Sequence, residues 1–382
     1  MTHLWEFRPL DTLLFFRNST PFEAGEIDMV QPESMFPPLM NPLQGAIRTS
    51  LAAQRGWSPH SEQTPFPPEL GDEHHLGLLQ MKGPFLAEHG KTLVPLPLTL
   101  FGKIMEDRKT KKEIWQIQPL VPGPPSYTDL NQKINHPLRL LEPAERVAGG
   151  KLLELWGTME ALASVLRGEI PDFSQLRRSS DLWRKEQKHG IMRGDIYEKR
   201  VKGGHLYTSV HIRLNKGVTL QVEVKGIPAD WEIKEKLALP LGGEGRFADV
   251  RIRSDSFRLP EVPNLQPAPD GKLRYTLSLL TPGRWKADKL PDVIHYGPPS
   301  APGTCIAASI GKIWRVGGWD LKEKGPREVI PLLPPGCTWF FEASMQEKEK
   351  IERLHGKWVG ENNAFGMGQV VIGTWKEGEE AE

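Results

Sequence analysis

Two glycine-bearing strings hold the residue types that could approach a phosphate or a sugar closely. One is Leu241-Gly242-Gly243-Glu244-Gly245-Arg246; the other is Gly366-Met367-Gly368, preceded by Asn362-Asn363 within residues 355–375. The run from Gly243 to Ala248 satisfies G-x-G-x-x-A as a string, but a dinucleotide fingerprint must leave a strand and open a helix. Here Asp249 to Arg253 alternates as a strand, and the second string is likewise followed by an apolar strand pattern. A phosphate seat at a helix N-terminus is therefore excluded for both. Two readings stay open: a helix C-cap with a tight turn needing positive φ, or a backbone surface that touches RNA, as Arg246 and the paired asparagines suggest.

A second concentration of chemistry lies between Arg184 and Lys202, with seven basic residues against three acidic ones. Lys188-His189-Gly190-Ile191-Met192-Arg193 and, further on, Gly203-Gly204-His205-Leu206-Tyr207 combine cations, flexible glycines, an apolar tip and an aromatic ring. A solvated charge run explains the cations and leaves Ile191 and Met192 exposed without cause. Apolar and aromatic contacts flanked by cations are how proteins hold splayed bases. His189 and His205 titrate near neutrality and suit general acid or base work in RNA cleavage; the alternative is a polar hairpin without catalysis.

Other chemistry finds no support. His74-His75 has no third ligand at a metal spacing, and neither H-E-x-x-H nor C-x-x-C occurs. No G-x-S-x-G, complete Walker loop or evident carboxylate cluster for Mg²⁺ is present. Neither a metal nor a cofactor is expected.

The elements that must position these residues can be read from periodicity. Leu4 to Arg17 is expected as a strand and Pro42 to Gln54 as a helix ended by Gly56. Residues 57–149, rich in Pro and Gly, read as irregular insertions. Lys151 to Leu166 has helical spacing. Tyr207 to Leu214 and Val218 to Val224 flank the turn Asn215-Lys216-Gly217 and read as a hairpin. Ala229 to Leu239 is expected as a helix before the first Gly loop and Phe247 to Arg253 as the strand after it. Further on, Arg274–Leu280, Thr304–Ile310, Ile313–Val316, Thr338–Phe341 and Gln369–Trp375 read as strands, and Ala343–Leu354 as a helix. The expectation is an α+β chain of two tandem ferredoxin-like (RRM-like) domains. The first covers 1–254 with insertions and a basic segment at about 184–214, and the second covers 255–382.

Size and composition agree with two cores. The chain has 382 residues, beyond the length at which single cores stop growing. Its net charge of +1 argues against a generic polyanion binder while permitting a local basic surface. No apolar run is long enough to span a bilayer, and the start resembles no signal segment. Two cysteines, Cys305 and Cys337, fit a reducing compartment. A cytoplasmic protein is expected.

Several of these blocks together resemble one family. They are Arg8 to Arg17, Pro21 to Glu26, Gln44 to Thr49, Lys188 to Arg193, Leu206-Tyr207, Leu241 to Arg246, Val316-Gly317-Gly318-Trp319-Asp320 and Ala364 to Trp375. In this order they are similar to the third-subunit family of the Cmr complex, the type III-B CRISPR RNA-guided effector. The resemblance implies a RAMP protein that caps the 5′ handle of crRNA as a non-catalytic subunit, in antiviral defence. Its partners would be the crRNA, the large polymerase-like subunit and the backbone RAMP subunit, with target RNA met indirectly and no membrane. By position, the basic segment at about 184–214 would be a thumb hairpin that props handle bases apart, with Lys188, His189, Ile191, Met192, Arg193 and Tyr207 belonging to it. Gly242, Gly243, Arg246, Gly366 and Gly368 would belong to loops cradling the RNA backbone. Arg17, Asn18 and Arg48 are further RNA-binding candidates, chosen as polar ends of the first strand and helix. A metal-independent endoribonuclease acting on repeat RNA stands as the alternative.

Overall fold

The computed structural model of the protein describes residues 1–15, 34–59, 64–72, 75–107, 109–111, 113–126, 138–192, 205–320 and 325–376. Side chains of 126, 138, 191–192, 205–207, 319–320 and 325–326 lie outside that description. The chain is mixed α+β and mostly strand. In order it forms β1 (Thr2–Pro9), α1 (Met40–Gln54), β2 (Gln80–Glu88), β3 (Lys91–Pro95), β4 (Leu100–Glu106), β5 (Glu113–Ser126) and β6 (Leu138–Pro143). Then come β7 (Lys151–Leu152), β8 (Trp156–Gly157), α2 (Met159–Leu166), β9 (Leu176–Arg177), α3 (Ser179–Leu182), β10 (Trp183–Met192), β11 (His205–Leu214) and β12 (Val218–Lys225). The remainder is β13 (Lys236–Pro240), β14 (Phe247–Arg253), β15 (Leu273–Leu279), β16 (Gly283–Arg284), α4 (Leu290–Tyr296), β17 (Thr304–Ser309), β18 (Trp314–Asp320), β19 (Gly325–Leu333), β20 (Thr338–Ala343), α5 (Lys348–Arg353) and β21 (Val370–Thr374).

Two compact units emerge, each drawn from separated segments. The first comprises Met1–Gly90, Ser180–Ser256 and Arg315–Ile330; the second comprises Lys91–Ser179, Phe257–Trp314 and Pro331–Glu382. In the first unit the strands run in the order β13-β14-β1-β12-β2, antiparallel throughout. Trp5 and Phe7 sit opposite Val222 and Leu220, and all four are buried, because alternate side chains of a strand share a face. Burial of Leu43, Ile47 and Leu51 gives α1 its apolar stripe.

In the second unit the order is β17-β20-β15-β21. One face of this sheet presents Tyr275, Leu277, Trp339, Phe341 and Ile372 to a core completed by Leu290 and Val293 of α4 and Ile351 of α5. The other face carries Ile306, Ala307, Phe340 and Trp375, against which Leu141 of β6 packs. This sheet is thus covered on both sides.

Several expectations are corrected. Residues 57–149 are not irregular: they supply β2, which pairs with β12, and β4, β5 and β6 of the β6-β5-β4-β7 sheet. The prolines that masked β5 lie partly where its register against β6 shifts, between Pro122 and Pro125, a position that tolerates a missing N–H. The helix expected over 151–166 begins only at Met159, where Thr158 Oγ1 caps it by accepting from the Ala161 N–H at 3.3 Å. Tyr207–Leu214 and Val218–Val224 do turn at Asn215, whose carbonyl accepts from the Val218 N–H at 3.0 Å, but they do not pair. β12 is buried along nearly its whole length and takes β1 and β2 as neighbours, while β11 pairs with the basic β10.

Ala229 to Leu239 holds no helix. Its apolar residues alternate near the end, and Lys236–Pro240 is a strand paired with β14, so the first Gly loop joins two antiparallel strands. Helix-before-strand order survives only for the second loop. There the expected helix 343–354 is narrowed to a 3₁₀ turn (Met345–Glu347) and α5, started by a Ser344/Glu347 capping box. The first strand ends at Pro9; Leu13, Leu14 and Phe15 are buried beyond it. α4 and β19 had no counterpart in the reading of the sequence.

Candidate nucleic-acid interface

The basic hairpin and the first Gly loop meet at one carboxylate. β10 and β11 pair so that Glu186 faces His211 and Lys188 faces Ser209. Against this side lies residue 11, held in place by the Leu13 and Ile212 backbones, which exchange two hydrogen bonds of 2.8 Å. Asp11 accepts from Lys188 Nζ at 2.8 Å and Arg246 Nη1 at 3.0 Å, both on Oδ2, and from Arg213 Nη2 at 2.8 Å on Oδ1. Arg213 also donates to both oxygens of Glu186, the second contact from Nη2 at 2.9 Å. Asp11 is held well below the usual carboxylate range, chiefly by the Lys188 hydrogen bond, with Arg213 adding to it against the cost of burial. The Arg213 guanidinium is pushed upward by Glu186 first and Asp11 next.

Beneath these ion pairs lies His211, whose side chain is 0% exposed. Its Nε2 lies 3.0 Å from Glu244 Oε2 and its Nδ1 3.1 Å from Thr12 Oγ1. An ionised carboxylate only accepts, so Nε2 carries the proton and Thr12 donates to Nδ1. Burial lowers the His211 pKa, with Glu244 opposing and Arg246 and Lys188 assisting. Glu244 adopts φ 56, a left-handed conformation unusual for a residue with a side chain, and its carboxylate ties the loop to the hairpin.

The glycines of this loop divide by role. Gly242 has φ 84, and a Cβ there would fall 2.6 Å from the Leu14 carbonyl oxygen. That same oxygen accepts from the Gly243 N–H at 2.8 Å. Gly242 is therefore required by the fold, whereas a Cβ on Gly243 would meet nothing closer than 3.5 Å.

Of the other expected RNA contacts, His189 faces Thr208, a position two residues along from Gln187 and thus on the opposite side from Lys188. Its Nδ1 is 2.9 Å from Thr208 Oγ1, which supplies no carboxylate or second imidazole for cleavage. Ile191, Met192 and Tyr207 are fixed as backbone partners of Leu206, His205 and Gly190; their side chains, together with Arg17, Asn18 and Arg193, lie outside the described residues. Arg48 is committed locally. It donates to the Leu70 and Asp72 carbonyls at 2.7 Å each and to Gln44 at 2.9 Å, and lies over the Phe66 ring.

The second loop belongs to the other unit. Asn362 (φ 60) and Gly366 (φ 75) bracket a 3₁₀ turn, and Asn363 Nδ2 donates to the Val359 and Met367 carbonyls at 3.1 and 3.0 Å. Gly368 packs so tightly that a Cβ would overlap the Val359 carbonyl oxygen. No group of three or more His, Cys, Asp or Glu suited to a metal ion occurs among the described residues. Nor is any described helix long and apolar enough to cross a membrane. Asp11, Arg213 and His211 are among the site residues that the sequence did not single out. Arg213 sits in an alternating strand, where nothing local separates it from a solvated cation.

Comparison with curated proteins gives no match. Among solved structures the chain is similar to a chain of the type III-B Cmr-beta complex bound to cognate target RNA and AMPPnP, at 14% identity, covering 89% of this chain and 86% of that one with a TM-score of 0.46. A second Cmr-beta structure, bound to cognate target RNA, gives 13% identity over the same shares and a TM-score of 0.45. A chain of the Csm3-Csm4 subcomplex of the type III-A CRISPR-Cas interference complex gives 14% identity, 98% and 100% coverage and a TM-score of 0.38. Residues 5–375 match the model of the family described as CRISPR-associated protein (Cas_Cmr3), and the chain therefore belongs to that CRISPR-associated family.

Proposed function

We propose that this chain is a non-catalytic RNA-binding subunit of a type III-B CRISPR effector, seated on the 5′ handle of the crRNA beside a large polymerase-like subunit and a backbone RAMP subunit. The carrying observation is the family match over nearly the whole chain. The junction of hairpin and Gly loop at Asp11 supports it, because three cations and an open loop backbone converge there. Two tandem ferredoxin-like domains are part of the same reading. The β14-β1-β12-β2 and β21-β15-β20-β17 orders both follow the 4-1-3-2 arrangement of a βαββαβ unit. In the first, β13 and its loop stand where the second helix belongs. A type III effector acts in the cytoplasm, where its RNA is.

The test is isolation of the chain from its host with associated RNA. Small RNAs of uniform 5′ end, crosslinked through the handle to residues of β10, β11 or 241–246, are expected. A complex whose crRNA handle crosslinks only to other subunits would sink the assignment. Cleavage of repeat RNA by the purified chain in EDTA, lost in His189→Ala, would replace it with a nuclease.

A further inference from the structure

Strand pairing places three apolar side chains in one row at the Gly-loop end of the first unit's sheet. Pro240 of β13 stands opposite Phe247 of β14. The N–H of Leu10, just past β1, donates to the Phe247 carbonyl at 3.0 Å, continuing the register in which Pro9 faces Ala248 and Arg8 faces Asp249. Directly opposed residues share a face, so Pro240, Phe247 and Leu10 line up across three strands. None of them is covered: Leu10 is 61% exposed, Phe247 43%, and Pro240 is exposed too.

One exposed apolar side chain needs no explanation; three in register, with charge behind them, do. The next row on the same face holds Ala238, Asp249 and Arg8, and the one after it Lys236, Arg251 and Glu6. Arg8 donates to Asp249 at 2.8 Å, while exposed Arg251 has no polar partner among the described residues. Phe247 makes no ring contact among them either. Cations outnumber carboxylates on this face, which argues against the core of a protein interface, where charge is depleted. The row also borders the Gly loop directly, since the loop leaves at Pro240 and returns at Phe247.

We propose that this row is a stacking platform for an unpaired nucleotide of the bound RNA. Its base lies on the Phe247 ring between Leu10 and Pro240, and the adjoining phosphodiester runs along Arg8 and Arg251. Every base has a π-face, so such a platform tolerates any sequence and holds the strand beside the Gly loop. The proposal rests on the reading of the chain as an RNA-binding subunit.

The test uses the full chain and a synthetic RNA bearing the 5′ handle of the host's own CRISPR repeat, with 5-iodouridine placed at each position in turn. Irradiation is expected to crosslink one position to Phe247. Phe247→Ala is expected to weaken binding about tenfold and Phe247→Tyr to keep it within about twofold. Both variants should melt like the wild type because the ring is exposed. If the wild type binds this RNA but neither crosslinks at Phe247 nor loses affinity in Phe247→Ala, the platform is wrong and the RNA-binding reading stands. If Phe247→Ala instead weakens subunit association without RNA, the row is a protein contact and the platform is equally overturned. If the wild type does not prefer this RNA over an unrelated one, both readings fall together.

Discussion

Lys188 of β10 and Arg246 of the Gly loop donate to the same atom, Oδ2 of Asp11, at 2.8 and 3.0 Å. Two cations that the sequence suggests for RNA are thereby joined through one internal anion. A single exposed ion pair contributes only about 0.2–1 kcal/mol, and under the proposed function an RNA phosphate is expected to compete with Asp11 for these cations.

Asp11→Asn tests this link. It removes one negative charge from a cluster of three cations, so affinity for unrelated single-stranded RNA should rise. The slope of log K against log salt should steepen by about 0.7, the increment for one more phosphate neutralised. An unchanged slope would place the cluster off the RNA path. In thermal unfolding, the loss relative to wild type should stay level from neutral pH down to about 4 and shrink below it. The Asp11 pKa is depressed in the fold, so its contribution is present above the unfolded value and is lost only in stronger acid.

His211 should make the hairpin base acid-sensitive in a milder range. Its folded pKa lies below the ordinary 6.5 because of burial, so below that value the unfolded chain binds a proton that the folded one refuses. Stability is then lost as pH falls through about 6.5, levelling off below the folded pKa. His3 and His355 are shifted in the same direction, so the informative quantity is a difference. Between pH 7.5 and 5.5 the melting temperature of His211→Gln should fall less than that of wild type, by about 1 °C or more. Equal falls would mean that folding leaves the His211 pKa unshifted, and a larger fall in the variant would mean that the imidazole is charged in the fold.

The elements legible in the sequence are those whose pattern is settled locally. α1 needed only Leu43, Ile47 and Leu51 at a spacing of four with Gly56 after them, and Phe247–Arg253 alternated without ambiguity. What was misread depended on partners far along the chain. Val218–Val224 looked like one arm of a hairpin with β11, yet its two edges are taken by β1 and β2, and it is buried along nearly its whole length. Ala229–Leu239 had the charges of an exposed helix but is drawn out beside β14. At the site, Lys188 and Arg246 could be singled out as cations. That Asp11 would join them could not, since the three come together only when β1's extension runs alongside β11.

The two thiols should be inert in the folded chain. Cys305 and Cys337 are both buried, and burial pushes each pKa up to about 12. A thiolate is the reactive form. Ellman's reagent should therefore modify neither at pH 8 until denaturant is added, and prompt reaction of one equivalent would contradict the packing of β17 or of the turn before β20.

The Gly loops can be sorted by single alanines into residues that shape the chain and residues that leave its backbone open. Gly368→Ala combines φ 80 with overlap onto the Val359 carbonyl, and should cost on the order of 3 kcal/mol or more. Gly242→Ala meets the same two obstacles more mildly, at φ 84 and 2.6 Å from the Leu14 oxygen, and should cost about 1–3 kcal/mol. Gly243→Ala has neither and should leave stability within about 0.5 kcal/mol. Its effect on handle RNA is then free of any folding defect. A severalfold loss of affinity at unchanged melting temperature places RNA against the loop backbone at Gly243, and unchanged affinity takes Gly243 off the RNA path.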